Sequence, residues 1–237
     1  MKRIILMFIR NIFYIPGFVF RLFRYSKNVD KYTESEISLF LKKIVYRANK
    51  GGNVEIKAFG KEHIPEENGF ILFPNHQGMY DMLAIIDVCD YPMSVVAKKE
   101  VQNVPLLKHV FRVVKALFID REDVRQSMKI IVEVTKEVQK GRNYTIFPEG
   151  TRSKNGNVVG EFKGGSFKSA TKAKCPIVPV ALIDSFKPFD TNSIKPVTVQ
   201  VHFLPPLYYE EYKDMNTTEI AEEVRKRIVE TIERELS

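Results

Sequence analysis

The chain has 237 residues, of which 44% are hydrophobic, and carries a formal net charge of +8. That apolar share excludes global disorder, and the length suits one domain of ordinary size with a small appendage. The two cysteines, Cys89 and Cys175, have neither metal-site nor C-x-x-C spacing, which excludes a disulfide framework and points to a reducing compartment.

The charge is uneven. Residues 1–50 hold 11 Lys/Arg against 3 Asp/Glu, which is the whole formal excess. A basic end implies an anionic partner. Residues 4–23 read IILMFIRNIFYIPGFVFRLF. A secretory signal lacks its small-residue cleavage site here, and Arg10, Asn11 and Pro16 interrupt a membrane span. On a helical wheel Arg3, Arg10, Arg21 and Arg24 fall within about 60° of one another, a narrow basic stripe on a wide apolar helix kinked or split near Pro16 and Gly17. The expectation is an amphipathic anchor on the cytoplasmic face of the membrane, with its arginines against anionic headgroups. A helix packed on the protein's own core and a tilted single span are the alternatives.

Further along, Ile37, Phe40, Leu41, Ile44 and Val45 recur at helical spacing, and Gly51-Gly52 closes that helix. Val54–Phe59 alternates as a strand. Gly69–Phe73 is a short buried strand stopped by Pro74. Residues 81–88 predict a helix, Met93–Ala97 a strand, and Ala116–Ile119 another. Asp123 caps a helix with Val124, Met128, Ile131, Thr135 and Val138 on one face and Gly141 at its end. Tyr144–Phe147, Ile177–Leu182 and Val197–Phe203 predict strands. Asn216 and Glu219 form a capping box for a last helix whose stripe is Ile220, Val224, Ile228 and Ile232. The alternation predicts a single α/β domain over 51–237, with a mixed, largely central β-sheet flanked by helices, preceded by the membrane-associating helical segment 1–50.

Two polar stretches interrupt the apolar pattern: NHQGMYD (75–81) and FPEGTRS (147–153). A five-residue offset turns about 140° on a helix, so His76 and Asp81 do not share a helical face. They meet if His76 lies in the loop before the helix and Asp81 in its first turn, where the helix dipole favours a carboxylate. Asp81 then accepts the imidazole Nδ1–H and leaves Nε2 outward as a base. The motif contains no protein nucleophile, so the base would serve a substrate hydroxyl. In the second stretch Pro148 and Gly150 shape a turn that holds Glu149 at the sheet edge, and Arg152 carries a guanidinium suited to phosphate. Arg121 and Lys98 end two other strands. Ligands gather at the carboxyl ends of strands, so these three cations are candidates to converge on one phosphate. A solvated surface position is the alternative for each alone.

Four blocks in order, NHQGMYD, ALFIDR, FPEGTRS with EFKGG soon after, and VPVAL, resemble the glycerolipid acyltransferase family, most nearly its bacterial 1-acyl-sn-glycerol-3-phosphate acyltransferases. The resemblance implies that His76 deprotonates the sn-2 hydroxyl of lysophosphatidate while Asp81 orients it, and that the alkoxide attacks an acyl thioester directly. It places Arg121, Glu149, Gly150, Thr151 and Arg152 in acceptor-binding blocks, with Glu149 ordering the loop or the glycerol hydroxyl rather than acting as a second base. Donors would be acyl-CoA or acyl-carrier protein. Neither metal nor cofactor is implied, because proton transfer and oxyanion binding suffice. Two departures stand out: Gly78 replaces a common serine, and Lys115 replaces a glycine at a position expected to lie close enough to the site to alter acceptor choice. Acylation of glycerol 3-phosphate or another lysolipid is the neighbouring reading. A non-catalytic lipid-binding module is disfavoured by the intact His76, Asp81 and Glu149. A nucleic-acid partner rests on the basic pI alone and is not expected.

Overall fold

The computed structural model describes residues 1–120 and 122–237. In chain order the elements are α1 (Lys2–Asn11), α2 (Ile15–Lys27), α3 (Glu34–Gly51), β1 (Val54–Phe59), β2 (Ile71–Pro74), α4 (Asp81–Val88), β3 (Ser94–Lys98), α5 (Leu107–Val113), β4 (Leu117–Ile119), α6 (Val124–Gln139), β5 (Tyr144–Thr145), α7 (Lys168–Ala173), β6 (Ile177–Ile183), α8 (Lys187–Asp190), β7 (Val197–Phe203), α9 (Tyr209–Tyr212) and α10 (Thr217–Leu236). Among the described residues seven strands form one sheet in the order β1-β7-β6-β2-β5-β3-β4. β6, β2, β5, β3 and β4 run parallel, and β7 with β1 runs against them. The mixed sheet expected from the sequence is therefore present.

This topology brings the carboxyl ends of five strands to one edge. The His76 loop follows β2, Lys98 ends β3, Asp120 follows β4, the Glu149 loop follows β5, and Ser185 follows β6. All four residues of β2 and all seven of β6 are buried, as continuous apolar runs in parallel strands require. On one face of the sheet Ile71 and Phe73 pack with α6, α7 and α10. On the other, Phe70 and Leu72 pack with α4 and with Met7 of α1. The capping boxes at Thr33–Glu36 and Asn216–Glu219 form, and Asp123 caps α6.

Two expectations hold only in part. The predicted stripe of α6 is covered toward its C-terminal end: Val138 is buried and Ile131 and Thr135 are half-buried, while Val124 and Met128 are exposed. Near its start α6 bonds the three-residue edge strand β4 through Gln126, and further along Thr135 reaches Ser169 O of α7. The second is the N-terminal segment, where Arg3 departs from the outward stripe. It forms two helices bent by 92°, and among the described residues no single helix is long and apolar enough to cross a membrane. Of the four stripe arginines only Arg3 is buried, while Arg10, Arg21 and Arg24 are exposed. Arg3 is buried and donates to the carbonyls of Gly52 (2.5 Å) and Lys195 (2.8 Å). Arg10 donates to Gly51 O and Asn53 Oδ1. Arg21 and Arg24 donate to the hydroxyls of Tyr25 and Tyr32. For Arg3 and Arg10 the reason is local chemistry: the last carbonyls of α3 and the turn after it lack helical partners, and the two guanidinium groups satisfy them. The segment also exposes a broad apolar surface, Ile5, Phe8, Ile9, Ile12, Phe13 and Phe20, with Phe13 94% exposed.

Removing the Arg3 side chain strands two or more carbonyls away from water, so Arg3→Ala should lower folding stability by about 3 kcal/mol in chemical denaturation. Arg24→Ala, at an exposed hydrogen bond, should stay within about 0.5 kcal/mol of wild type.

Candidate active site

β2 ends at Pro74, and the chain leaves the sheet through Asn75, His76 and Gln77 before α4 begins at Asp81. Asn75 fixes the exit: its side chain exchanges two hydrogen bonds with the backbone of Leu182 on neighbouring β6, at 3.0 and 2.7 Å. His76 Nδ1 lies 2.7 Å from Asp81 Oδ2. The His76 ring is 22% exposed and the Asp81 side chain 1%, so one end of the imidazole is gripped and the other faces outward. Asp81 Oδ2 also accepts the backbone amides of Gln77 (2.7 Å) and Gly78 (3.0 Å), and Ser185 Oγ donates to Oδ1. The Phe147 ring lies 4.2 Å from the imidazole, centre to centre, and completes the wall.

Glu149 is buried beside this pair. Its Oε1 accepts the His76 amide at 2.8 Å and its Oε2 accepts the Gly160 amide at 3.2 Å. Burial pushes the Glu149 carboxyl above its ordinary value, and the two amide donors pull against that rise. Glu149 thus ties three loop segments together. Ser153 adds a second tie by donating its amide to His76 O at 2.9 Å. Gly150 sits at φ +73, a backbone conformation that glycine adopts without strain, and the amide donates to Phe147 O.

The predicted cations separate. Arg152 is half-buried in the loop that carries Glu149 and makes no hydrogen bond or ion pair among the described residues. Thr151 is exposed next to it. Lys98 stands at the carboxyl end of β3, but it is exposed and paired with Glu100 at 2.7 Å. Arg121 lies outside the described residues. Lys115, expected near the site, is not: it precedes β4 at the opposite edge of the sheet and pairs with Glu34 at 3.0 Å.

The sequence reading missed Gln77 and Ser185. Gln77 is buried and donates to Asn157 Oδ1 and Leu182 O while accepting the Ser185 amide. The only sequence signal was adjacency to a motif, since the partners lie 80 to 108 residues away.

A family model described as Acyltransferase matches residues 55–183. The chain is 32% identical over 185 residues to the 1-acyl-sn-glycerol-3-phosphate acyltransferase of Borreliella burgdorferi, covering 76% of this chain and 72% of the relative. It is 28% identical to the human 1-acyl-sn-glycerol-3-phosphate acyltransferase alpha, covering 90% and 73%. The crystal structure of the 1-acyl-sn-glycerophosphate acyltransferase from Thermotoga maritima superposes with a TM-score of 0.73 at 26% identity, over 98% of this chain and 97% of that one.

Glu149→Ala should free the amides of His76 and Gly160. Their hydrogen exchange, followed by NMR, should accelerate about ten- to a hundredfold, the loss expected for hydrogen bonds to a carboxylate, while amides in β6 keep their protection.

Proposed function

The chain belongs to the acyltransferase family, and we propose that it moves a fatty acyl group from a thioester donor to the sn-2 hydroxyl of 1-acyl-sn-glycerol 3-phosphate, giving phosphatidate. The observation that carries this reading is the 2.7 Å contact between His76 Nδ1 and buried Asp81 beneath an imidazole open on its other side. With Nδ1–H held by the carboxylate, Nε2 presents a lone pair outward. It takes the proton of the lipid hydroxyl as the oxygen attacks the thioester carbonyl. The tetrahedral intermediate collapses, the carbon–sulfur bond breaks, and the imidazolium returns its proton to the leaving thiolate. No acyl-enzyme is needed, because the nucleophile comes with the acceptor. Glu149 acts here as a loop tie, since both its oxygens already accept backbone amides.

Arg152 is the phosphate ligand in this reading: it is half-buried, free of ion pairs among the described residues, and follows a strand end. Arg121, one block away in the resemblance, is its proposed companion. Lys98, with its charge matched by Glu100, is a weaker candidate. The donor is acyl-CoA or acyl-carrier protein, and a basic surface suits either polyanion.

The outward apolar faces of α1 and α2 support attachment to the cytoplasmic face of the membrane through residues 1–50, with 51–237 carrying the chemistry. Phe13 and its neighbours would enter the acyl boundary as a helical pair lying in the interface. Headgroup contact does not come from Arg3, which is committed to backbone carbonyls.

An assay of the full chain in vesicles, crossing lysophosphatidate and glycerol 3-phosphate with both thioesters, tests the reaction. Transfer to lysophosphatidate is expected, His76→Ala should abolish it with an unchanged melting temperature, and Arg152→Ala should raise the lysophosphatidate KM about tenfold or more while leaving the donor KM near wild type. Appreciable turnover by His76→Ala would remove the base assignment. For the attachment, Phe8→Asp with Phe13→Asp should release the chain from vesicles in a flotation experiment, because each charge opposes burial in the acyl region. Retention of the double variant would count against this face.

A further inference from the structure

We infer that Ser185 is a positioning residue for the catalytic pair: its hydroxyl holds Asp81 in the rotamer that grips His76. The inference rests on the reading of His76 as the base. Asp81 Oδ2 collects three donors, His76 Nδ1 and the amides of Gln77 and Gly78. Oδ1 has only Ser185 Oγ and the long edge of a shared Gly78 amide, at 3.1 Å. Ser185 is therefore what satisfies the second oxygen of a carboxylate with no solvent access.

The Ser185 proton has one plausible destination. The hydroxyl also lies 3.1 Å from Gln77 Oε1, but that oxygen already accepts the Ser185 amide at 2.8 Å. The contact with Asp81 is shorter and ends on an ionisable oxygen, where a hydroxyl hydrogen bond is stronger. The fold delivers this side chain deliberately. β6 runs parallel beside β2, so its carboxyl end arrives next to the His76 loop. Asp184 then turns the chain at φ +62, in the left-handed region that Asp tolerates, and Asn157 clamps it through its amide and its carboxylate, at 2.8 and 2.9 Å. The turn places Ser185 over Asp81 with no exposure of its own.

The segment that carries Ser185 also lies close to the backbone of the His76 loop: a Cβ at Gly78 would sit 3.0 Å from Asp190 Oδ2 and 3.2 Å from Phe186 Cα, and the glycine accommodates that approach.

The charged groups around the pair are Glu149 on the β5 loop, Asp184 with its partner Lys187, and Asp190 on α8. None changes in a Ser185 variant. Without the hydroxyl, Asp81 Oδ1 keeps only the 3.1 Å edge of the Gly78 amide, and the carboxylate is free to leave the rotamer that grips the imidazole. In Ser185→Ala the His76 Nδ1 proton, identified by its absence from His76→Ala, should therefore exchange with solvent about tenfold faster or more in NMR of the free enzyme. In the vesicle assay kcat should fall about tenfold with the lysophosphatidate KM within about twofold, since Ser185 acts through His76 and not on the acceptor. Ser185→Cys, which keeps the shape and a weaker donor, should fall between, and it carries the same measurements if the alanine variant unfolds. An unchanged exchange rate of the His76 Nδ1 proton, or a kcat equal to wild type, would overturn the inference. The exchange measurement needs no substrate, so faster exchange with no wild-type transfer to lysophosphatidate would sink the acceptor assignment and leave Ser185 in place.

Discussion

The site depends on one buried carboxylate. Asp81 has no exposure, so each of its acceptor positions must be filled by the protein or left unsatisfied at considerable cost. Two backbone amides, one hydroxyl and one imidazole fill them. The amides belong to Gln77 and Gly78, in the turn that enters α4, where the helix N-terminus also favours negative charge. The geometry of His76 is thus a consequence of satisfying Asp81. The ring is the one partner free to do anything else, because its second nitrogen points away from the carboxylate.

The same economy joins the loops. Strands β2, β5 and β6 are neighbours or near neighbours in the sheet and end at the same edge. Their loops are cross-tied by buried polar side chains: Asn75 and Gln77 reach from β2 to β6, and Glu149 reaches from β5 to the His76 amide. Each tie has both ends satisfied, which rigidifies a polar network where a half-satisfied one would loosen it. A base held this way loses little reorganisation energy when the substrate arrives. Three chain segments far apart in sequence therefore behave as one surface, and the sheet edge sets their spacing.

The strands, the capping boxes at Thr33 and Asn216 and the His76–Asp81 contact were legible in the sequence because each rests on local spacing. Ser185 and Gln77 were not legible. Their partners lie across the sheet, and a serine after a strand carries no signal until β6 is placed beside β2. Lys115 misled for the same reason: its neighbours in the chain are near the motif block, but the strand between carries that block to the opposite edge. The α6 stripe is covered only toward its C-terminal end, because periodicity identifies an apolar face without saying how much surface awaits it, and the edge strand β4 offers three residues.

The N-terminal arginines show the limit of a helical wheel most sharply. The wheel found the stripe correctly and assigned it to the outside, because charge on an apolar helix near a lipid surface ordinarily faces headgroups. For Arg3 and Arg10 the carbonyls at the end of α3 decided otherwise. A guanidinium with several donors in a fixed fork can serve several such carbonyls at once, and Arg3 does so between Gly52 and Lys195. This makes Arg3 and Arg10 fasteners. Detaching α1 would strand those carbonyls, so α1 and α3 move together, and α2 is bound to the same body through Leu22 and Tyr25 against Phe40 and Val113. If the outward phenylalanines enter a bilayer, the height of His76 above that surface is set by rigid packing, and a lipid hydroxyl must be raised to a fixed plane to meet the base.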